Sequence, residues 1–163
     1  MRTEMLYQIL GLTNTDESLI SAIAEIGGKV ETLSPKNIRE LGTDYVNITN
    51  RGISLAFQAR ARFEMSRGTP RGAGPYVLSG IFYYPHGGED LDPYVGCAPF
   101  SASPVSTRDE ALLHYGTPDR TEEDEEEIDW DQWSKEARQL RTSYRSDLTI
   151  STISVSIPLL PSR

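Results

Sequence analysis

The sequence predicts an α+β fold whose antiparallel sheet is built from local hairpins. Helical apolar spacing is confined to the amino end and to one segment after Ser106, whereas alternating apolar residues occur in pairs around turn residues. Parallel βαβ units would instead place a helix between successive strands. A chain of 163 residues suits one domain, and we expect residues 1–163 to form a single one.

The amino-terminal part predicts two helices. Apolar residues recur at helical spacing over 5–10, after which a glycine interrupts them. A second apolar face covers 19–26, between the candidate cap Asp16 and the stop at Gly27-Gly28. From Lys29 onward the pattern becomes that of extended structure.

Three further stretches each predict a pair of antiparallel strands. Apolar residues alternate over 45–48 and 53–57 on either side of an Asn/Gly turn, which indicates a hairpin. A strand is predicted over 76–84, with 94–97 returning beside it. Alternation over 140–144 and 150–157 predicts a closing hairpin that ends at a proline.

One more helix is predicted after Ser106. Ser106 offers a capping hydroxyl with the acidic Asp109 three positions later, and Gly116 followed by Pro118 ends the segment. Ala111, together with leucine and tyrosine at helical spacing, supplies its inner face.

Two segments are expected to lie outside the regular elements. Residues 59–75 combine arginines with glycine and proline and are interpreted as a mobile basic loop without a phosphate-binding motif. Residues 119–131 are so rich in Asp and Glu that we expect an exposed, mobile acidic segment.

Composition restricts the classes of partner. Asp and Glu number 24 against 16 Lys and Arg, giving a formal net charge of −8. A negative field disfavours binding to nucleic acid or anionic lipid and attracts cationic partners. The single cysteine, Cys97, suits a reducing compartment, and no apolar run resembles a signal peptide or a membrane span. We therefore expect a cytoplasmic protein.

The residues that can carry catalysis or bind metal are few. Neither His86 nor His114 lies in a metal-binding motif, and no serine lies in a nucleophile elbow, so no metal or cofactor is expected. A small hydrolase with a dispersed site would have to use residues such as His86, Asp90, Asp92 and Cys97. This enzyme hypothesis stays open, because residues far apart in sequence can meet in the fold.

The strongest candidate for a binding site is the acidic run with its two tryptophans. Carboxylates attract a basic partner over distance, and tryptophans supply large anchoring surfaces at contact. Trp130 and Trp133 would share a face if the segment were helical. The alternative is that both tryptophans pack in the core and the acids form a solvated linker; the spacing of an EF-hand calcium loop is absent. The candidate partner-binding residues are Glu122, Glu123, Asp124, Glu125, Glu126, Glu127, Asp129, Trp130, Asp131 and Trp133.

The order of these segments resembles small bacterial immunity proteins that act against interbacterial toxins. The resemblance rests on the motifs Gly52-Ile-Ser-Leu-Ala-Phe57, Tyr94-Val-Gly-Cys-Ala-Pro-Phe100 and Ser106-Thr-Arg-Asp-Glu110, the last leading to Tyr115-Gly-Thr-Pro118. It implies stoichiometric binding of a cognate toxin and no catalytic residues. The toxin would have a basic surface, such as the cleft of a nuclease. An adaptor or chaperone for a bacterial secretion component is the alternative binding function.

Overall fold

The sheet contains seven strands, all antiparallel, in the order β1-β2-β3-β7-β6-β5-β4. The computed structural model describes residues 2–161. The strands are β1 Thr43–Ile48, β2 Ile53–Ala59, β3 Tyr76–Tyr83, β4 Arg120–Asp124, β5 Glu127–Lys135, β6 Arg138–Tyr144 and β7 Ile150–Ser156. The helices are α1 Glu17–Glu25, α2 Pro35–Leu41, α3 Arg60–Arg67 and α4 Arg108–Tyr115, with 3-10 helices at Thr3–Ile9 and Val30–Thr32. The predicted α+β class is confirmed.

Two of the three predicted hairpins are present. Strands β1 and β2 pair around a turn in which Gly52 has a φ of 68°, and a side chain there would collide with the backbone carbonyl of Asp92. Strands β6 and β7 form the predicted closing hairpin. The helix predicted after Ser106 begins at Arg108, because Thr107 rather than Ser106 accepts a hydrogen bond from the Glu110 amide, at 3.2 Å.

The two halves of the sheet are joined by a pairing between strands that are distant in the chain. Strand β3 pairs with β7, so that Ile81 lies opposite Val155 and Tyr83 opposite Ile153. This contact fuses β1-β2-β3 and β7-β6-β5-β4 into one sheet. The sequence predicts β3 and β7 separately, but not this pairing.

Two predicted extended segments have other structures. Within the stretch from Lys29, residues Pro35–Leu41 form α2, which starts at the capping hydroxyl of Ser34 and ends at Gly42 with a φ of 81°. Ser-Pro before a helix and glycine after it are helix boundary signals that the extended prediction overlooked. Residues 94–97 form no strand; there, the ring of Tyr94 packs edge-on against Tyr83 instead, at 4.9 Å.

The predicted basic loop over 59–75 is also different. It begins with α3; Arg60, the first residue of this helix, links the two ends of the segment, and Arg71 links the segment to the amino-terminal part of the chain. Arg60 donates to the carbonyls of Gly72 and Gly74 at 2.7 and 3.1 Å, and Arg71 donates to the carbonyl of Leu10. These arginines satisfy backbone carbonyls of irregular segments, a role that composition alone does not reveal.

The core lies on one face of the sheet. A row of directly opposed residues, Leu55, Ile81, Val155, Leu140 and Trp133, is buried across five strands. Helix α1 covers this face with Leu19 and Ile23, and α4 covers it with Ala111. Among residues 2–161, no helix has the length and apolar character needed to cross a bilayer.

Candidate partner-binding site

The acidic segment is a β-hairpin at one edge of the sheet. Strands β4 and β5 pair through a two-residue turn, in which Glu125 and Glu126 have φ values of 48° and 72°. We call residues 120–135 the acidic hairpin. The irregular acidic segment predicted over 119–131 is therefore corrected to two paired strands, because an extended backbone can leave its acidic side chains in water while its amides pair with a neighbouring strand.

Most of the candidate carboxylates are exposed around the hairpin tip. The side chains of Glu123, Asp124, Glu125, Glu126, Glu127 and Asp129 are exposed, as predicted, and Glu122 is half-buried. Glu122 forms an ion pair with Arg120 at 3.4 Å. None of the five consecutive residues 123–127 forms an ion pair with any residue among 2–161. The tip therefore carries uncompensated negative charge, which strengthens attraction to a cation.

Trp130 lies on the face of the sheet opposite the core. Its half-buried ring is contacted by two guanidinium groups, with Arg141 at 3.8 Å and Arg120 at 5.2 Å from the ring centroid. Arg141 also donates twice to the side-chain oxygen of Gln132, at 2.7 and 3.2 Å. The hydrogen bonds to Gln132 fix the guanidinium group of Arg141 over the Trp130 ring. The resulting cation–π contact holds the ring in place.

Trp133 lies on the core face. Its ring is 3% exposed and packs against Tyr115 at 5.3 Å, while its indole nitrogen donates to the Gly116 carbonyl at 3.1 Å. Residues three apart in a strand point to opposite faces, so the two tryptophans do not share the common face that a helix would give them. Trp133 fastens the end of α4 to the sheet.

Asp131 is fully buried on the same face as Trp133. Arg108 donates to it from α4 at 2.9 Å, Thr121 donates from β4 at 2.6 Å, and the Tyr144 hydroxyl donates from β6. Burial by itself raises the pKa of a carboxyl group, but these three donors favour the charged form more strongly, and the pKa of Asp131 is lowered. Burial, followed by the hydrogen bond to Asp131, raises the pKa of Tyr144.

The burial of Asp131 and Trp133 corrects the candidate site at two positions. A partner that docks on the surface does not reach either side chain, so the accessible candidates are Trp130 and the carboxylates around the tip. The alternation of the strand contains the signal, because residues 131 and 133 fall on one face and residues 130 and 132 on the other. The residues that sequence reasoning missed are Arg120 and Arg141, which flank Trp130.

The residues of the enzyme hypothesis lie in separate places. Asp90 and Asp92 line a polar cleft with Thr49, whereas Cys97 lines a different cavity beside Tyr7. The ring of His86 is hydrogen-bonded to the carbonyl of Ser106 at 3.1 Å. Within residues 2–161, no three His, Cys, Asp or Glu side chains are grouped so that they could hold a metal ion.

Comparisons of the chain with protein-family models, with curated proteins and with solved structures found no match.

Proposed function

We propose that this protein is an immunity protein, which binds a bacterial toxin stoichiometrically and blocks it. The observation that carries the proposal is the uncompensated charge of residues 123–127 at the tip of an edge hairpin. Such a tip attracts a basic surface and speeds its approach, and Trp130 lies on the same hairpin. The resemblance of the segment order to immunity proteins adds to this argument.

The partner is then a toxin with a basic surface, and the inhibition needs neither a catalytic residue nor a cofactor. A nuclease cleft is a suitable target, because it is cationic in order to hold phosphates, and exposed carboxylates can occupy it in their place. A cytoplasmic site of action belongs to the same proposal, since the single cysteine suits a reducing compartment.

The first test is co-expression with the toxin encoded beside this gene, scored by cell survival and by co-purification of the two chains. Survival together with a stable complex supports immunity by direct binding. A stable complex without protection favours the adaptor or chaperone function. If neither is seen, immunity against that toxin is contradicted.

The second test assigns the site. The tip is neutralised by Glu123→Gln, Asp124→Asn, Glu125→Gln, Glu126→Gln and Glu127→Gln together. We expect the dissociation constant for the toxin to rise by about tenfold or more, mainly through slower association, because exposed charges act on encounter. Surface plasmon resonance at two salt concentrations measures both rates.

A control variant removes the same charge from exposed positions away from the hairpin: Glu17→Gln, Glu31→Gln, Glu40→Gln, Glu89→Gln and Asp109→Asn. It changes the net charge equally and contains the same residue types. If both variants bind equally well, or lose affinity equally, the acidic hairpin is not the contact surface, whatever the outcome of the survival test.

A further inference from the structure

The face of the sheet opposite the core is polar and aromatic instead of apolar. Directly opposed residues of an antiparallel sheet lie on one face, which places Ala56, Gly80, Ser156 and Gln139 in one row beside the buried row that contains Ile81. The neighbouring row contains Ser54, Phe82, Ser154, Arg141 and Gln132. Both rows run across the centre of the sheet.

Small residues at the centre of this face create a depression between larger side chains. Ala56, Gly80 and Ser156 form its floor, and Tyr45 and Phe82, which meet edge-on at 6.4 Å, form one wall. The depression has a volume of about 260 Å³ and is bordered by Arg67 and Arg141 as well. We call it the open-face trough.

Among residues 2–161, neither arginine of the trough forms an ion pair with a carboxylate. Arg67 donates to the side-chain oxygen of Gln58 at 3.0 Å and to the carbonyl of Ile157, and within the described part of the chain Arg141 donates to the side-chain oxygen of Gln132. None of the residues among 2–161 that line the trough is Asp or Glu. Glu122 interacts electrostatically with Arg141, but Glu122 is itself paired with Arg120.

This arrangement is unusual for half-buried guanidinium groups. A charge that is partly removed from water is normally paired, and burial lowers the pKa of both Arg67 and Arg141. Each guanidinium has five N–H donors, and two of these form the hydrogen bonds described above. The hydroxyls of Ser154 and Ser156 also border the trough and add donors. The site is therefore rich in donors and positive charge within an acidic protein.

We infer that the open-face trough binds a carboxylate side chain on a protruding loop of a partner protein. Carboxylates fit guanidinium groups in both charge and geometry. A side chain on a protein loop is favoured over a small molecule because the trough is an open depression on the face of the sheet, not a cavity that encloses a whole ligand. Its surroundings are also rich in Tyr, Trp and Arg, the residues enriched at protein interfaces. The acidic hairpin is proposed to contact basic groups of a partner, whereas the open-face trough would bind an acidic one.

The test uses NMR of the arginine side-chain Nε–H signals, with a blocked oligoglutamate peptide as the probe of a carboxylate-bearing loop. We expect the signals of Arg67 and Arg141 to shift on titration and that of Arg39, which is exposed on α2, to stay in place. A blocked oligoglutamine peptide is expected to leave all three unchanged. Absence of any shift at Arg67 and Arg141 would overturn the inference.

Variants separate the charge of the trough from its shape. Arg141→Gln and Ser156→Leu are each expected to weaken oligoglutamate binding by about tenfold, the first by removing a donor and the second by filling the floor. Arg39→Gln removes the same charge elsewhere and is expected to bind like the parent. Equal weakening by Arg39→Gln would show that only the overall charge matters, which contradicts a defined site.

Inorganic phosphate distinguishes the kind of ligand. If phosphate shifts the signals of Arg67 and Arg141 at the same concentration as the oligoglutamate peptide or at a lower one, the trough is a small-anion site. In that case the assignment to a partner loop is wrong. None of these measurements requires the toxin. A negative result in these measurements would therefore not contradict the proposed immunity function. A negative survival test would likewise not contradict carboxylate binding by the trough.

Discussion

At the scale of single residues, Asp131 has the most unusual environment in the acidic hairpin. It is buried, and its oxygens accept from Arg108, Thr121 and Tyr144, which belong to three different elements. A buried carboxylate is stable only when such donors replace the water that it has lost. Asp131 thereby joins α4 to β4 and β6.

We expect Asp131→Asn to lower the free energy of unfolding by about 3 kcal/mol at neutral pH, because it leaves the Arg108 cation without its counter-charge. The pKa of Asp131 in the folded state is below that of the unfolded chain, which is about 3.9. Its stabilisation is therefore complete above that value and lost as the pH falls through the folded pKa. The difference between parent and variant should shrink in acid.

Urea denaturation over a pH series measures this difference. Asp129→Asn is the control, because Asp129 is on the same strand and exposed, and we expect it to change stability by less than about 0.5 kcal/mol. If the difference in free energy of unfolding between the parent and Asp131→Asn stays constant down to strongly acidic pH, the negative charge of Asp131 does not provide the stabilisation.

Among the secondary-structure elements, the turns β4–β5 and β5–β6 are unusual. Both residues of each turn have a left-handed backbone conformation, and none of them is glycine. The β5–β6 turn consists of Glu136 and Ala137, with φ values of 48° and 63°, and the β4–β5 turn consists of two glutamates. Two-residue turns with both φ values positive favour Asn-Gly, because glycine adopts this region without a steric cost. These hairpins are therefore held by their pairing and not by their turns.

Ala137→Gly is expected to raise the free energy of unfolding by about 1 kcal/mol, since it relieves the left-handed conformation of a residue with a Cβ. The melting temperature should rise by about 2–4 °C, which differential scanning calorimetry resolves. Ala102→Gly is the control: Ala102 is also exposed, but its φ is not positive, and we expect no gain there. A gain of equal size at both positions would disprove the explanation.

At the scale of the whole molecule, the sheet depends on the contact between β3 and β7 at its centre. These strands have neighbours on both sides, whereas β1 and β4 lie at the two edges. Edge strands can open without breaking the core, and their amides then exchange at a lower free energy than those of central strands. The acidic hairpin is thus attached to the rest of the sheet through β6 alone.

Hydrogen exchange followed by NMR should give a gradient across the sheet. We expect the amides of Ile81 and Val155 to exchange only through global unfolding, and those of Thr121 and Glu123 in β4 to exchange faster. Equal protection in β4 and β7 would mean that the acidic hairpin opens only with the whole sheet, contrary to this expectation.

The features that depend on neighbouring residues can be predicted from the amino-acid sequence. The alternation in β1–β2 and β6–β7, the helical spacing of α1 and α4, and the exposure of residues 123–127 all follow from local patterns. Errors occurred where the local pattern was ambiguous, as in α2 and α3, or where a run of charged residues hid the alternation of a strand, as in β5.

Which strands pair and which charged groups are buried depends on contacts between residues that are far apart in the chain. The pairing of β3 with β7 joins residues far apart in the chain, and the burial of Asp131 needs donors from α4, β4 and β6. The open-face trough likewise needs small residues on β2, β3 and β7 to become neighbours. A periodic pattern shows which face a residue occupies within its own strand, whereas the free energy of a charge or a cavity depends on the groups that folding places against it.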